Sequence, residues 1–392
     1  MIKRTLAATL GVALTMSACG SGDARGEEPA EPPHGYVAGA EELPEAASAI
    51  AYAARGGQRL HLLDLATERQ KQLDLSVPAR QLTDDGRFVY AGDGDRRLEI
   101  VDAGVWTVDH ADHVHFYRAP ARTIGTLTFD AAVVTVAGNA AHTTVGTADG
   151  RIRVLDRRQL ETGTVAEVSR IDSRSSTPLA VPYAGNLIVA TGDDPARPAH
   201  RLVAMGPDGR ATGAFEAPCE APRGWVVLRG GALIACEDHL VRVKEDSGTL
   251  TATAVPSPRK PVPGTAFGHR PRSNEAALAG TGGIWSVNAP KAAVRHLAAN
   301  GRDLVAAASP ADAATVLALD SAGTLISYDL ESGKVLAEAP LKATTLTLDV
   351  NRAYLADPEQ RVVHEVDYRD GLRTARTLRT ADRPDLVVEV GR

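Results

Sequence analysis

Residues 321–336, SAGTLISYDLESGKVL, decide the fold: a polar turn, a short alternating strand, an Asp and a second turn. The same order recurs along the chain as GGQRLHLLDLATER (56–69), GDRRLEIVDAG (94–104), ADGRIRVLDRRQLETG (148–163), RLVAMGPDGRATG (201–213), DHLVRVKEDSGTL (238–250), TGGIWSVNAPKAA (281–293) and EQRVVHEVDYRDG (359–371). The equivalent turn-side positions are Asp64, Asp102, Asp156, Gly206, Lys244, Asn288, Asp329 and Asp367, with a mean spacing of about 43 residues. A period of ~40–45 with four strands per unit is the signature of a β-propeller blade. One blade cannot bury both of its faces, so blades stack radially and the ring closes on itself. The expectation is an all-β chain, a β-propeller of eight blades, or of seven if 201–213 is an insertion. Two β-sandwiches would need a mid-chain linker. The one candidate, PSPRKPVP (256–263), lies between repeat units at ordinary spacing and reads as an inter-blade loop.

The chain has 392 residues, 44% hydrophobic and 23% charged, which excludes wholesale disorder. Aromatic residues are only 4%, so the core must be filled with Val, Leu, Ile and Ala. The net charge of −6, with no Lys/Arg cluster, argues against nucleic-acid binding. A monomer is expected.

The first residues are not read as fold. Lys3 and Arg4 precede an apolar run from Thr5 to Met16, followed by Ser17-Ala18-Cys19-Gly20. Small residues before a cysteine at the end of such a run look like a bacterial lipobox. Residues 1–18 then form a lipoprotein signal peptide, and Cys19 carries lipid that holds the protein on the outer face of the cytoplasmic membrane. A plain secretory signal is the alternative. No later segment approaches ~18 uninterrupted apolar residues. Residues 19–45 are rich in Gly, Pro, Glu and Ala and read as a flexible tether, leaving 46–392 as one propeller domain.

With Cys19 assigned to lipid, Cys219 and Cys236 remain, and an exported protein favours joining them. The intervening GWVVLRGGALIA reads as two short strands around Arg229-Gly230-Gly231, a hairpin that brings its ends together. Two separate buried thiols are the alternative.

The chain contains no GxSxG elbow, P-loop, HExxH or CxxC. Its dense constellation is Asp109-His110-Ala111-Asp112-His113-Val114-His115-Phe116-Tyr117. On a strand His113 and His115 project to one side, because side chains alternate with period two. His110 or Asp112 approaches through the bend before that strand. Imidazole nitrogen with a carboxylate oxygen suits Zn²⁺, and because neutral imidazole is required the site should weaken below roughly pH 6. A polar loop of solvated histidines is the bland alternative. Further ligand candidates are His142 and His269. His364 lies in a strand and fits the core equally well, and His34 sits in the tether.

Three stretches together resemble the AztD-type zinc metallochaperones, secreted propellers encoded with zinc ABC importers: DHADHVHFYRA (109–119), the Cys219/Cys236 pair with Cys236-Glu237-Asp238, and the C-terminal run 352–392. PGTAFGHRPRSNEAALAGTGGIWSV (263–287) is a looser match. The resemblance implies that the protein binds Zn²⁺ outside the cytoplasmic membrane and passes it to the solute-binding protein of an importer. It carries ligand roles to His110, His113 and His115, and to His142 and His269. Where the family tends to carry Cys-x-x-x-His-Gly, this chain reads Cys219-Glu220-Ala221-Pro222-Arg223-Gly224, and Arg223 cannot ligate zinc.

Two other functions compete with metal transfer. A lactonase-like propeller hydrolase would need an open metal position and a general base, and no convincing carboxylate pair is visible. A scaffold that docks partners without metal needs neither.

Overall fold

In strand Thr324–Asp329 the residues Leu325, Ile326, Ser327 and Tyr328 are all buried. Alternation explains how both faces are covered. Leu325 packs with Leu355 and Val366, whereas Ile326 and Tyr328 pack on the other side with Ala277 and Ile284. The strand therefore lies inside a sheet sandwiched between two neighbouring sheets. The outer strand Val335–Pro340 is partly solvated and leaves Leu336 57% exposed.

The computed structural model describes residues 37, 39–110, 113–260, 262, 266–280 and 282–392. Among these the architecture is all-β, apart from one five-residue helix, Arg157–Glu161. Six sheets have four strands, and all their strand pairs are antiparallel. An eight-stranded sheet consists of two more such units, joined by parallel pairing of Gly268–His269 with Ala308–Ser309. These four-stranded units resemble propeller blades. Apolar clusters run from each unit to the next. One joins Ile50, Tyr52 and Leu63 to Tyr354, Ala356 and Val363, so the last unit packs on the first. The closing strand Leu386–Val390 pairs with Ala49–Ala53, from Ala49↔Val390 to Ala53↔Leu386.

Six of the eight repeat markers end the third strand of their units, while Lys244 lies within His239–Asp246 and Gly206 just follows Arg201–Met205. Asp64, Asp102, Asp156, Asn288, Asp329 and Asp367 each end such a strand. The reason for the aspartate is local. Asp64 Oδ1 accepts the backbone N–H groups of Ala66 and Thr67 at 3.0 and 2.8 Å, and Asp329 Oδ1 accepts that of Ser332 at 2.7 Å, so the carboxylate closes the turn. Asp156 does the same at the start of the helix.

The segment 201–213 is not an insertion. It supplies Arg201–Met205 and most of Ala211–Ala214, two strands of their own four-stranded sheet. The stretch 256–263 separates strands of different units, as expected, although 261 and 263 lie outside the described residues. The tether reading of 19–45 needs a correction at its end. Glu41–Leu43 is a strand, paired with Val114–Arg118 as Glu41↔Arg118, Glu42↔Tyr117 and Leu43↔Phe116. Leu43 packs against the apolar cluster between the first and second units, which anchors a segment that composition alone marks as unstructured. Residues 1–18 and Cys19 lie outside the described residues.

Candidate metal centre

The histidine segment leaves the ring between the third and fourth strands of the second unit, Arg97–Asp102 and Arg122–Thr128. It forms a hairpin, Val105–Asp109 against Val114–Arg118, with Glu41–Leu43 added as a third strand. Its exit point is built for close approach. Gly104 has φ +73°, and a Cβ there would stand 2.3 Å from the carbonyl oxygen of Ala119. Ala119 N–H in turn donates to Gly104 O at 2.7 Å, closing the base of the hairpin. Below the base, Arg87 and Asp102 form a buried ion pair, and the Arg87 guanidinium lies 3.7 Å from the Trp106 ring centroid. Trp106 stacks on Tyr117 at 5.4 Å.

The hairpin register explains how the imidazoles converge. Val108 pairs with His115 and Asp109 with Val114, so His110 stands opposite His113, and His110 N–H donates to His113 O at 3.0 Å. His113 and His115 lie two residues apart on one face, as the sequence predicts, and His110 joins them across the strand pair rather than along it. One nitrogen from each of the three rings lies within 4.8 Å of the others. Ring centroids are separated by 4.9 Å for His110–His113, 5.5 Å for His110–His115 and 4.9 Å for His113–His115. Zn–N bonds of ~2.0–2.1 Å place two ligand nitrogens at most about 4.2 Å apart, so small ring rotations close the group on one ion. His113 is exposed, while His110 and His115 are partly buried. The donor set fits Zn²⁺: three imidazole nitrogens, one of them on the exposed His113.

Side-chain contacts also tie this hairpin to other units. Thr107 Oγ1 donates to Gly391 O at 2.6 Å, beside the closing strand. Arg229 Nη2 donates to Asp109 Oδ2 at 2.6 Å, from the turn of the Gly224–Leu228/Gly231–Ala235 hairpin. That second hairpin is the one expected between the cysteines, and Cys219–Cys236 is a disulfide at its base, with Cα atoms 5.1 Å apart.

The remaining candidates are placed elsewhere. His142 opens strand His142–Thr147 opposite Asp156, and burial pulls its pKa down. His269 lines a cavity of about 330 Å³ with Arg272, Arg392 and Trp225. Its Nδ1 is 3.0 Å from Arg270 O, and burial, with Arg392 adding repulsion, lowers its pKa to about 4. His364 is a partly buried strand residue, 3.4 Å from Thr377 Oγ1. Arg223, the departure from the family pattern, approaches Glu237 at 3.8 Å. None of these four belongs to the histidine group. Asp112 lies outside the described residues.

One residue of the site is not visible in the sequence pattern. Glu42 Oε1 lies 2.6 Å from His115 Nδ1, held there by the strand that adds to the hairpin. No motif marks it, because it is 73 residues away in a stretch of tether-like composition.

No protein-family model matches the chain, and no curated protein matches it. Among solved structures, AztD from Citrobacter koseri matches with a TM-score of 0.72 at 15% identity, over 88% of this chain and 98% of that one. The apo form of AztD from the same organism gives 0.74 at 14% identity, with the same coverage of 88% and 98%. BamB from Moraxella catarrhalis gives 0.51 at 16% identity, over 81% of this chain and 90% of that one. At such identities the shared property is the fold, a β-propeller.

Proposed function

We propose that this chain is an extracytoplasmic zinc metallochaperone that holds Zn²⁺ on His110, His113 and His115 and hands it to the solute-binding protein of a zinc ABC importer. The observation that carries the reading is the convergence of three imidazole nitrogens on a hairpin outside the blade-like sheets, with His113 exposed. Transfer by ligand exchange needs that combination: enough donors to hold the ion, and one side open to an incoming ligand. The fold shared with AztD and the likeness of segment 109–119 to that family support zinc as the cargo. The protein moves the ion without a chemical step and is not an enzyme.

The finer parts of the reading follow from the same features. The four-stranded units, closed by Leu386–Val390, are the eight blades of one ring. The disulfide fits an oxidising compartment. Signal cleavage after residue 18 and lipid on Cys19 anchor the protein, and it acts as a monomer without nucleic-acid partners.

The test starts from metal-free protein, titrated with Zn²⁺ against a chromophoric chelator. Zinc-loaded protein is then mixed with an importer's solute-binding protein in the presence of excess chelator. Tight binding followed by transfer that the chelator does not intercept is expected. Binding only at millimolar zinc would leave a scaffold, and transfer only through chelatable zinc would remove the chaperone role.

A further inference from the structure

We propose that Glu42 is the positioning residue of the histidine site: through His115 it sets how tightly the metal is held. The proposal rests on the zinc reading above and deepens it.

The argument begins with donors and acceptors. A carboxylate only accepts hydrogen bonds, so the 2.6 Å contact between Glu42 Oε1 and His115 Nδ1 requires the hydrogen to sit on Nδ1. That leaves the lone pair on Nε2, the nitrogen available to an ion. Fixing the other ring nitrogen selects the tautomer, restrains the ring and raises its basicity as a ligand. Glu42 is not itself one of the converging donors, so its influence passes through His115.

The position of Glu42 is set by backbone pairing. Glu42 stands opposite Tyr117, two residues beyond His115 on the same face, and Tyr117 is fully buried with its ring 6.2 Å from that of His115. Burial, and then the Glu42 charge, push the Tyr117 hydroxyl pKa up. The strand has only three residues, Glu41–Leu43, two of them exposed, and its apolar hold on the body is Leu43.

The test uses the full chain and two readouts. In metal-free protein, nitrogen NMR of the His115 ring should report the Nδ1–H tautomer, shifting towards a mixture in Glu42→Ala. This readout needs no zinc, so it stands or falls separately from the metallochaperone reading. In zinc competition, Glu42→Ala should weaken binding roughly 10–100-fold, and Glu42→Gln, which keeps an acceptor oxygen, should recover part of that loss. Adding Glu42→Ala to His115→Ala should cost no more than about threefold further, because the path through His115 is already cut. An unchanged tautomer in Glu42→Ala overturns the proposal. So does a full additional loss of zinc affinity in the double variant.

Discussion

Arg87 donates to Asp102 through both Nε and Nη2, at 3.1 and 2.8 Å, with each side chain only 2% exposed. Asp102 also accepts the N–H of Gly104 at 3.0 Å, so this pair fixes the point where the histidine hairpin leaves its sheet. Removing one partner strands a buried charge. Asp102→Asn should therefore destabilise by about 3–5 kcal/mol in urea unfolding. Replacing both residues with apolar ones of similar volume should cost less than the single change. A loss under about 1 kcal/mol for Asp102→Asn would mean that the pair is not structurally important.

His113→Ala combined with His115→Ala should abolish the tight zinc site and leave the fold intact. His113 is exposed, where substitutions usually change stability by no more than about 0.5 kcal/mol, and His115, partly buried beside Tyr117 and Glu42, sits on a hairpin outside the blade-like sheets, so its loss should cost about 1 kcal/mol. Chelator competition measures the first part and thermal unfolding the second. If zinc affinity survives within about threefold, the site lies elsewhere.

Gly104 and Gly185 separate steric conflict from backbone strain. Both have positive φ, +73° and +74°, but a Cβ at 185 meets nothing within 4 Å, whereas at 104 it meets backbone at 2.3 Å. Gly185→Ala should cost about 1 kcal/mol, the price of the left-handed conformation alone. Gly104→Ala should cost more than that and weaken zinc binding, because the hairpin base must move. Equal melting shifts for the two would count against this account of the exit point.

Reducing the Cys219–Cys236 bond, or replacing both residues with Ala, should lower stability by roughly 2–4 kcal/mol. Zinc affinity should change by less than about threefold, since the bond lies at the base of its hairpin while Arg229, which reaches Asp109, lies at the turn. A large loss of zinc affinity would show that the clasp between the two hairpins depends on the bond.

The fold was legible because its repeat has a local cause. Each Asp that closes a third strand bonds its own turn, so the marker survives in sequence even where the strands differ. The histidine group was legible for the same reason: His110, His113 and His115 lie within one hairpin, where spacing and register are nearly the same statement. What required the structure was long-range. Glu42 reaches His115 across 73 residues and Arg229 reaches Asp109 across 120, and no periodicity encodes such meetings. His142 and His269 show the converse. Their residue type suggested ligands, but sheet pairing and the cavity beside Arg392 hold them outside the group.

Glu389 gives the ring an unusual pH dependence. It lies in the closing strand opposite Ile50, is completely buried, and neither carboxyl oxygen has a hydrogen-bond partner among the described residues. Burial raises its pKa to about 8, against a partial opposing pull from Arg392. The folded state thus holds a proton that the unfolded chain releases near pH 4.5. Where the native state binds more protons than the unfolded one, stability falls as pH rises. This contribution is fully present below the unfolded pKa and declines up to about pH 8, by on the order of a few kcal/mol. His269, lowered to about 4, acts in the opposite sense, costing stability as pH falls from 6.5 towards 4. Glu389→Gln keeps the shape and removes the titration. Its unfolding free energy should exceed that of the parent at pH 8 and approach it at pH 5. If the two proteins show parallel stability profiles between those values, Glu389 does not carry a proton in the native ring, and its buried carboxylate must be satisfied in another way.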